Sequence, residues 1–548
     1  HRDLHSFPTR RSSDLLQRLS GAGAAKQAFE ALVQAKASCE DPAWLKLLLP
    51  LARQAEQFER AQAEVQALNL APLRLAVADL SDSFPGKYPG EKYLPAIAAF
   101  EQELPKLKKA LASGDLDALD TWARFKEVQR EALLANPLLD FEEILLVRRR
   151  ENNLALPQNW QGNSSLNPHT ENEIVTMPVR AKDAPLKTFY KPAQNYYVGD
   201  VDLHYDADRL MFSSIGSHHR WQIFEIKMDG TGLRQITPAD EPDIDSYDSV
   251  YLPDGRIIYN SSSTFQGVPC VGGADYVANL HLMNADGTGI RRLCFDQDND
   301  WYPVMLPSGR VMYLRWEYTD SAHYFSRVLM SMNPDGTGQI EMYCSNSYWP
   351  NSLFYARPLP GSSTKFVGIV SGHHGVPRMG EMVLFDVGKG RQEDTGATQR
   401  IPGYGKPVKG VIKDTLVDDS WPKFLHPYPL SEKHFLVSCK PDPASPWGVY
   451  LVDIFDNMLP LKIEPGWALF EPLPLRKTER PPVIFDKVKL SEKNATVYLH
   501  DIYAGQGLRG VPRGTVKSLR LFQYEYSYRN QGGHYFIGME GGWDVRRI

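Results

Sequence analysis

Asp-Gly-Thr-Gly is written three times in this 548-residue chain, at Asp229 to Gly232, Asp286 to Gly289 and Asp335 to Gly338. Each copy follows an alternating apolar run, Ile223 to Met228, Leu280 to Met283 and Val328 to Met332, so each reads as the tight turn of a β-hairpin. A hairpin that recurs about every 50 residues points to repeated sheets, because one four-stranded sheet cannot bury its faces alone and must stack on its neighbours.

A second repeated element, a turn followed by a strand, counts the sheets. Its copies begin Asp206-Ala207-Asp208, Pro253-Asp254-Gly255, Pro307-Ser308-Gly309, Pro360-Gly361-Ser362 and Pro429-Leu430-Ser431, each running into an apolar stretch. Five blades follow directly. A sixth is assembled from both ends of the array: Ala468 to Leu475 reads as an opening strand without a continuation, while Ile144 to Val147 and Ile174 to Met177 read as strands without an opener. Joining them removes exposed strand edges. The expected fold is mainly β, a six-bladed β-propeller over residues 141–485, preceded by an α-helical bundle over 16–140 and followed by the start of a further β domain over 486–548.

In the helical part, apolar residues recur at three- and four-residue spacing, as in Leu45-Leu48-Leu49-Ala52. Breaks at Asp41-Pro42, Pro85 to Gly90 and Ser113 to Asp115 predict four helices. Residues 1–15 (HRDLHSFPTRRSSDL) have no initiator Met and resemble translated adapter or vector sequence. The chain stops in mid-pattern over Gly541 to Ile548, as an internal fragment of a longer protein would.

Charge and cysteine usage narrow the classes. A formal net charge of −5 gives no bulk argument for nucleic acid or an anionic membrane, and no apolar run approaches the roughly 20 residues of a membrane span. The five cysteines are scattered and odd in number, so no disulfide framework or Cys-x-x-Cys site is present. No Gly-x-Ser-x-Gly elbow, P-loop or His-Glu-x-x-His motif occurs. No complete active site is legible.

Several residues carry metal or cofactor chemistry by type. Asp243, Asp245 and Asp248, and Asp296, Asp298 and Asp300, offer oxygens at alternate positions, as Ca²⁺ favours, but without the spacing of an EF-hand loop. The pairs His218-His219 and His373-His374 fall just after strands, and neutral imidazole ligates metals and haem iron. That makes His373 and His374 candidate cofactor-binding residues, although adjacent histidines on a strand point to opposite faces. Cys270, in a long insertion, is a candidate metal ligand, and Arg148 to Arg150 read as a solvated strand end.

Longer motifs carry a family resemblance. Phe265-Gln266-Gly267-Val268-Pro269-Cys270, Arg315-Trp316-Glu317-Tyr318-Thr319-Asp320, Tyr348-Trp349-Pro350-Asn351-Ser352, Gly372-His373-His374-Gly375-Val376-Pro377 and the segments from Trp421 to Pro429 and Gly510 to Lys517 resemble proteins related to the hydrazine synthase alpha subunit. The likeness runs over roughly residues 142 to 548. It implies a six-bladed middle-domain propeller, similar to the TolB-like class. It also implies a carboxy-terminal c-type cytochrome portion with Cys-x-x-Cys-His haem sites, in a protein exported to the periplasm or an equivalent compartment.

In the hydrazine synthase alpha subunit itself a haem has a tyrosine ligand with a zinc nearby. The resemblance makes Tyr503 the counterpart of the haem ligand and His500 a metal ligand, with Cys270 a further one. This chain has no haem-attachment motif and a helical amino-terminal part, which argues against hydrazine formation. The expected role is a scaffold for a downstream haem domain in electron transfer, with that domain and a redox protein as partners. The alternative is a non-catalytic propeller binding a protein or glycan through Trp316, Trp349 or Trp421.

Overall fold

The computed structural model describes residues 23–35, 37–38, 41–115, 117–181, 183–268, 271, 273–316, 327–345, 347–505, 507–525, 529 and 544–547. Residues 1–15 and Cys270 lie outside them. The chain divides into two units, His1–Asp140 and Phe141–Ile548. Among the described residues no helix is long and apolar enough to cross a membrane.

The first unit has five described helices rather than four: α1 Gly23–Gln34, α2 Pro42–Ala67, α3 Ala71–Ser83, α4 Gly90–Ala112 and α5 Asp117–Leu134. The extra break falls at residues 68–70, where Asn69 Oδ1 accepts the Ala71 amide at 3.0 Å and offers the chain a helix start that apolar spacing does not reveal. Val65, Leu80, Ile97 and Phe125 form the interior, with Phe100 stacked on Phe125 at 3.7 Å between centroids. Trp122 Nε1 donates to Glu64 at 2.9 Å, so this buried ring also satisfies its polar atom.

The second unit is mainly β, built from antiparallel four-stranded groups. The chain begins it with β1 (Glu143–Arg150), β2 (Asn172–Pro178) and β3 (Lys187–Tyr190). Sheet 2 follows as β4 (Val198–Leu203), β5 (Arg209–Ile215), β6 (Trp221–Lys227) and β7 (Arg234–Gln235), and sheet 3 as β8 (Ser246–Tyr251), β9 (Ile257–Ser261), β10 (Asn279–Met283) and β11 (Arg291–Arg292). Sheet 4 holds β12 (Asp300–Met305), β13 (Val311–Trp316), β14 (Arg327–Met332) and β15 (Ile340–Tyr343). A single parallel pair, Arg327 with Ser352, links it to sheet 5: β16 (Ser352–Pro358), β17 (Lys365–Ser371), β18 (Glu381–Asp386) and β19 (Ala397–Ile401). Sheet 6 is β20 (Lys423–Pro429), β21 (His434–Lys440), β22 (Gly448–Asp453) and β23 (Met458–Lys462).

The last of these strands, β24 (Trp467–Pro474), returns to pair antiparallel with β1, so sheet 1 has the order β24-β1-β2-β3 and takes strands from both ends of the array. Ile144 to Val147 and Ile174 are fully buried, which is why they read as unbroken apolar runs rather than alternating ones. Each opening strand lies against the next: β4 on β8, β8 on β12, β12 on β16, β16 on β20, β20 on β24 and β24 on β4. Aromatic packing joins neighbours, as where Phe366 of β17 stacks on Phe385 at 4.9 Å and meets Tyr343 of β15 at 5.9 Å. Truncating such a buried Phe to Ala costs about 3–5 kcal/mol.

The repeated turns have one design. Asp229 Oδ1 accepts both the amide (2.9 Å) and the hydroxyl (2.7 Å) of Thr231, and Asp286 and Asp335 do the same for Thr288 and Thr337. Gly230, Gly287 and Gly336 take φ of 82° to 84°, which the Asp-Gly pairing permits. These turns and the strand-1 to strand-2 turns occupy one side of the sheets, and the strand-2 to strand-3 loops occupy the other.

Two expectations are corrected. Ala495 to His500 forms no strand, because alternation supplies a face but no partner edge. Past it, β25 (Phe522–Glu525) pairs with β26 (Asp544–Arg547). Arg149 is not solvated but 1% exposed, its guanidinium donating to the carbonyls of Leu154 and Val198, both at 2.8 Å, and lying over the Tyr197 ring.

Candidate functional site

Six β-bulges build the site. In the opening strand of each of sheets 1 to 6 two residues face one on the neighbouring strand: Asp200-Val201, Asp248-Ser249, Tyr302-Pro303, Tyr355-Ala356, His426-Pro427 and Glu471-Pro472. The first residue of each pair is left-handed, with φ between 49° at His426 and 54° at Tyr302. A bulge re-aims a side chain, and a non-glycine residue holds this conformation only where its surroundings over-determine it. All six residues line one cavity of about 70 Å³.

Chain order fixes the chemistry around that cavity. β24, β4 and β8 are consecutive and contribute Glu471, Asp200 and Asp248; β12, β16 and β20 contribute Tyr302, Tyr355 and His426. One half is acidic and the other aromatic, with Tyr302 and Tyr355 centroids 4.6 Å apart and Tyr355 and His426 4.2 Å apart. One step toward the turn side, Asp202, Arg357 and Tyr428 continue the lining.

The carboxylates also serve the frame. Glu471 Oε2 accepts the Val201 amide at 2.7 Å, Asp248 Oδ2 the Tyr302 amide at 2.6 Å, and Asp202 Oδ2 the Tyr251 amide at 2.9 Å, so acids of one sheet satisfy amides on the next. Burial pushes Asp202 up to about 6. Burial, with the Asp200 charge adding, pushes Glu471 up to about 7 and Asp248 well above its ordinary value. Burial, with Arg149 and Arg357 adding, keeps His426 neutral by holding it far below the usual imidazole value.

The loop between β1 and β2 crosses the loop side of the cavity. Asn163 Nδ2 donates to Asp200 Oδ2 at 2.7 Å, Gln161 Nε2 to Asp275 at 3.0 Å, and Asn159 Nδ2 to the Gly372 carbonyl at 2.8 Å. Asn159 Oδ1 in turn accepts the Arg378 amide at 2.7 Å, so this one loop touches sheets 2, 3 and 5. Gly162 passes so close to the Tyr247 hydroxyl that a Cβ there would lie 2.0 Å from it.

On the turn side a strap leaves sheet 1. The Thr478 amide donates to the Tyr205 carbonyl at 2.9 Å, and Arg480 pairs with Asp206. Asp486 receives a two-pronged contact from Arg256 at 2.8 and 3.0 Å, and Asp335 Oδ2 accepts the amides of Lys487 (2.5 Å) and Val488 (3.0 Å). A Cβ on Gly309 would stand 2.2 Å from the Pro482 carbonyl, so the strap lies directly on that turn. Three consecutive sheets hold it.

The predicted ligands fall elsewhere. His373 and His374 sit just after β17, as expected; in that loop their rings meet at 4.2 Å, and both approach Asp414. His374 Nδ1 is 3.0 Å from the Asp414 carboxylate. His373 Nδ1 accepts from Arg327 Nη1 at 2.7 Å, which places its proton on Nε2 and leaves no lone pair for an iron or zinc. Tyr503 Oη accepts the amides of Gly514 (2.7 Å) and Val516 (3.0 Å), so both its lone pairs are engaged too. As placed, these residues do not fit a haem ligand set, and Tyr503, whose bonds all stay within residues 501–516, touches neither histidine. His500 is exposed beside Tyr498.

In the acidic runs arginines meet Asp243, Asp245, Asp296 and Asp300, whereas both oxygens of the buried Asp298 have no hydrogen-bond partner and burial pushes its carboxyl up to about 8. Arg315 reaches Asp296 at 3.0 Å and Asp300 at 3.4 Å, and Arg220 reaches Asp243 at 2.5 Å. Of the three tryptophans expected at a rim, Trp316 and Trp349 are each 2% exposed and belong to the core; Trp421 is 37% exposed.

No protein-family model matches the chain, and no curated protein sequence does. Solved structures similar to it include Kuenenia stuttgartiensis hydrazine synthase, 18% identical, covering 63% of this chain and 48% of that one at a TM-score of 0.49. TolB from Acinetobacter baumannii is 9% identical, covering 65% of this chain and 72% of that one at 0.39. Oligogalacturonate lyase in complex with manganese is 13% identical, covering 51% and 70% at 0.32. The chain spans about half the length of the first of these.

Proposed function

We infer that residues 141–475 form a six-bladed β-propeller that acts as a platform, fixing the position of the polypeptide that follows it. The observation that carries this is the strap: from Thr478 to Val488 it is fastened to turns of three consecutive sheets by Asp206, Arg256 and Asp335. A charged contact on each of three rigid elements defines an orientation, which a flexible linker does not. The cycle of opening strands and the pairing of β24 with β1 support the six-bladed reading.

The resemblance to hydrazine synthase alpha subunit-related proteins supplies the rest: the positioned polypeptide carries c-type haem for electron transfer in an exported protein. Because residues 1–548 contain no Cys-x-x-Cys-His, that haem would be attached outside them. Two experiments separate the parts. Limited proteolysis should spare 476–490 in the intact chain and cut it in an Arg256→Ala, Asp335→Asn double variant; equal cutting refutes the platform. Absence of haem absorbance from the complete protein, made with c-haem maturation, refutes the haem assignment alone.

A further inference from the structure

The cavity holds more chemistry than the frame uses. Glu471, Asp200 and Asp248 converge on one side, and Asp248 and Glu471 each repel Asp200 across the space between them. Opposite stand Tyr302 and Tyr355, their hydroxyls 3.5 Å apart, with Arg378 over the Tyr302 ring at 5.6 Å. His426 Nδ1 is shut off from solvent and has no hydrogen-bond partner. Arg357 lines the same cavity two residues beyond Tyr355, and among the described residues its guanidinium has no hydrogen bond or ion pair.

Clustered carboxylates recognise an ammonium group, and an unpaired guanidinium recognises a carboxylate. A cavity of about 70 Å³ has room for about five to seven water-sized groups at 10–15 Å³ each, which suits glycine or alanine but neither a glycan nor a haem. Three guanidiniums, Arg149 and Arg378 beside Asp200 and Arg357 beside Asp248, offset the three carboxylates. A neutral zwitterion matches that balance better than a divalent metal ion.

We propose that this cavity binds a small amino acid, its ammonium held by the Glu471, Asp200 and Asp248 carboxylates and its carboxylate on Arg357. The site is independent of the platform role, since it needs no part of the strap.

Isothermal titration of the full chain at pH 7.5 with glycine, ethylamine, acetate and calcium chloride tests it. Glycine should bind at least tenfold more tightly than ethylamine, with acetate weaker still. Arg357→Gln should bring glycine to the level of ethylamine while leaving ethylamine within twofold, and Glu471→Gln should weaken both at least fivefold. No heat from glycine overturns the proposal, as does tighter binding of calcium than of glycine, or of acetate than of ethylamine. If a variant does not fold, the wild-type order of the four probes decides alone.

Discussion

Replacing Asp335 by Asn separates the one Asp-Gly-Thr-Gly turn with a second duty from the two without. The Asp335 carboxylate accepts four hydrogen bonds, two from Thr337 through Oδ1 and two from the Lys487 and Val488 amides through Oδ2. Asn keeps an oxygen for Thr337 but turns an NH₂ toward the two strap amides. Hydrogen bonds to a charged acceptor contribute about 1.5–3 kcal/mol each. Losing two, with part of the loss recovered by water at the freed strap, predicts a local weakening of about 2–4 kcal/mol. The control is Asp286→Asn: Asp286 makes the same two bonds to Thr288, and its second oxygen holds no strap. Protease nicking between residues 476 and 490, followed against urea, reads the strap directly. D335N should release it at lower urea while D286N leaves it as in the wild type. Equal behaviour of the two variants would refute the reasoning. Burial alone would raise the Asp335 pKa, but the Thr337 and strap hydrogen bonds outweigh it and hold it below 3.8. The strap's contribution is therefore present above the ordinary carboxylate range and is lost as pH falls through that depressed value.

Glu471 gives the opposite sign. Its native pKa of about 7, raised from 4.5, means the folded state keeps a proton that the unfolded chain has released, so stability falls as pH rises from about 4.5 to 7. Glu471→Gln should be more stable than wild type at pH 8 by up to about 3 kcal/mol, at 1.36 kcal/mol per pH unit, and equal to it at pH 4; urea midpoints at the two pH values check this. Gly162→Ala drives a Cβ to 2.0 Å from the buried Tyr247 hydroxyl, and overpacking of that kind costs about 1–3 kcal/mol, read as a lower urea midpoint. Phe366→Ala should weaken the chain more, by about 3–5 kcal/mol, through the packing that joins sheets 4 and 5.

Hairpin chemistry made most of the frame legible. The turns at Asp206, Asp254, Ser308, Gly361 and Leu430 do join first to second strands, and Ala468 to Leu475 overlaps the strand that pairs with β1. These elements depend on local turn residues and apolar runs, which sequence displays. The cavity was not legible, because its six left-handed positions are filled by Asp, Tyr, His and Glu rather than glycine. The trace they left was proline as second bulge residue in Tyr302-Pro303, His426-Pro427 and Glu471-Pro472, where an unpaired amide is dispensable. His373 and His374 do fall just after a strand, but the loop turns both rings to the same side, which sequence alone does not display. Ala495 to His500 alternates like a strand without a partner edge, and only tertiary structure shows that absence.

The platform account stands or falls on whether the strap is held. Amide hydrogen exchange at Lys487 and Val488 in the intact chain measures this at the two donors that Asp335 binds. The account predicts protection of both amides, lost together in D335N while the amides of β5 and β6 stay protected. Free-chain exchange at both amides in the wild-type protein would contradict it.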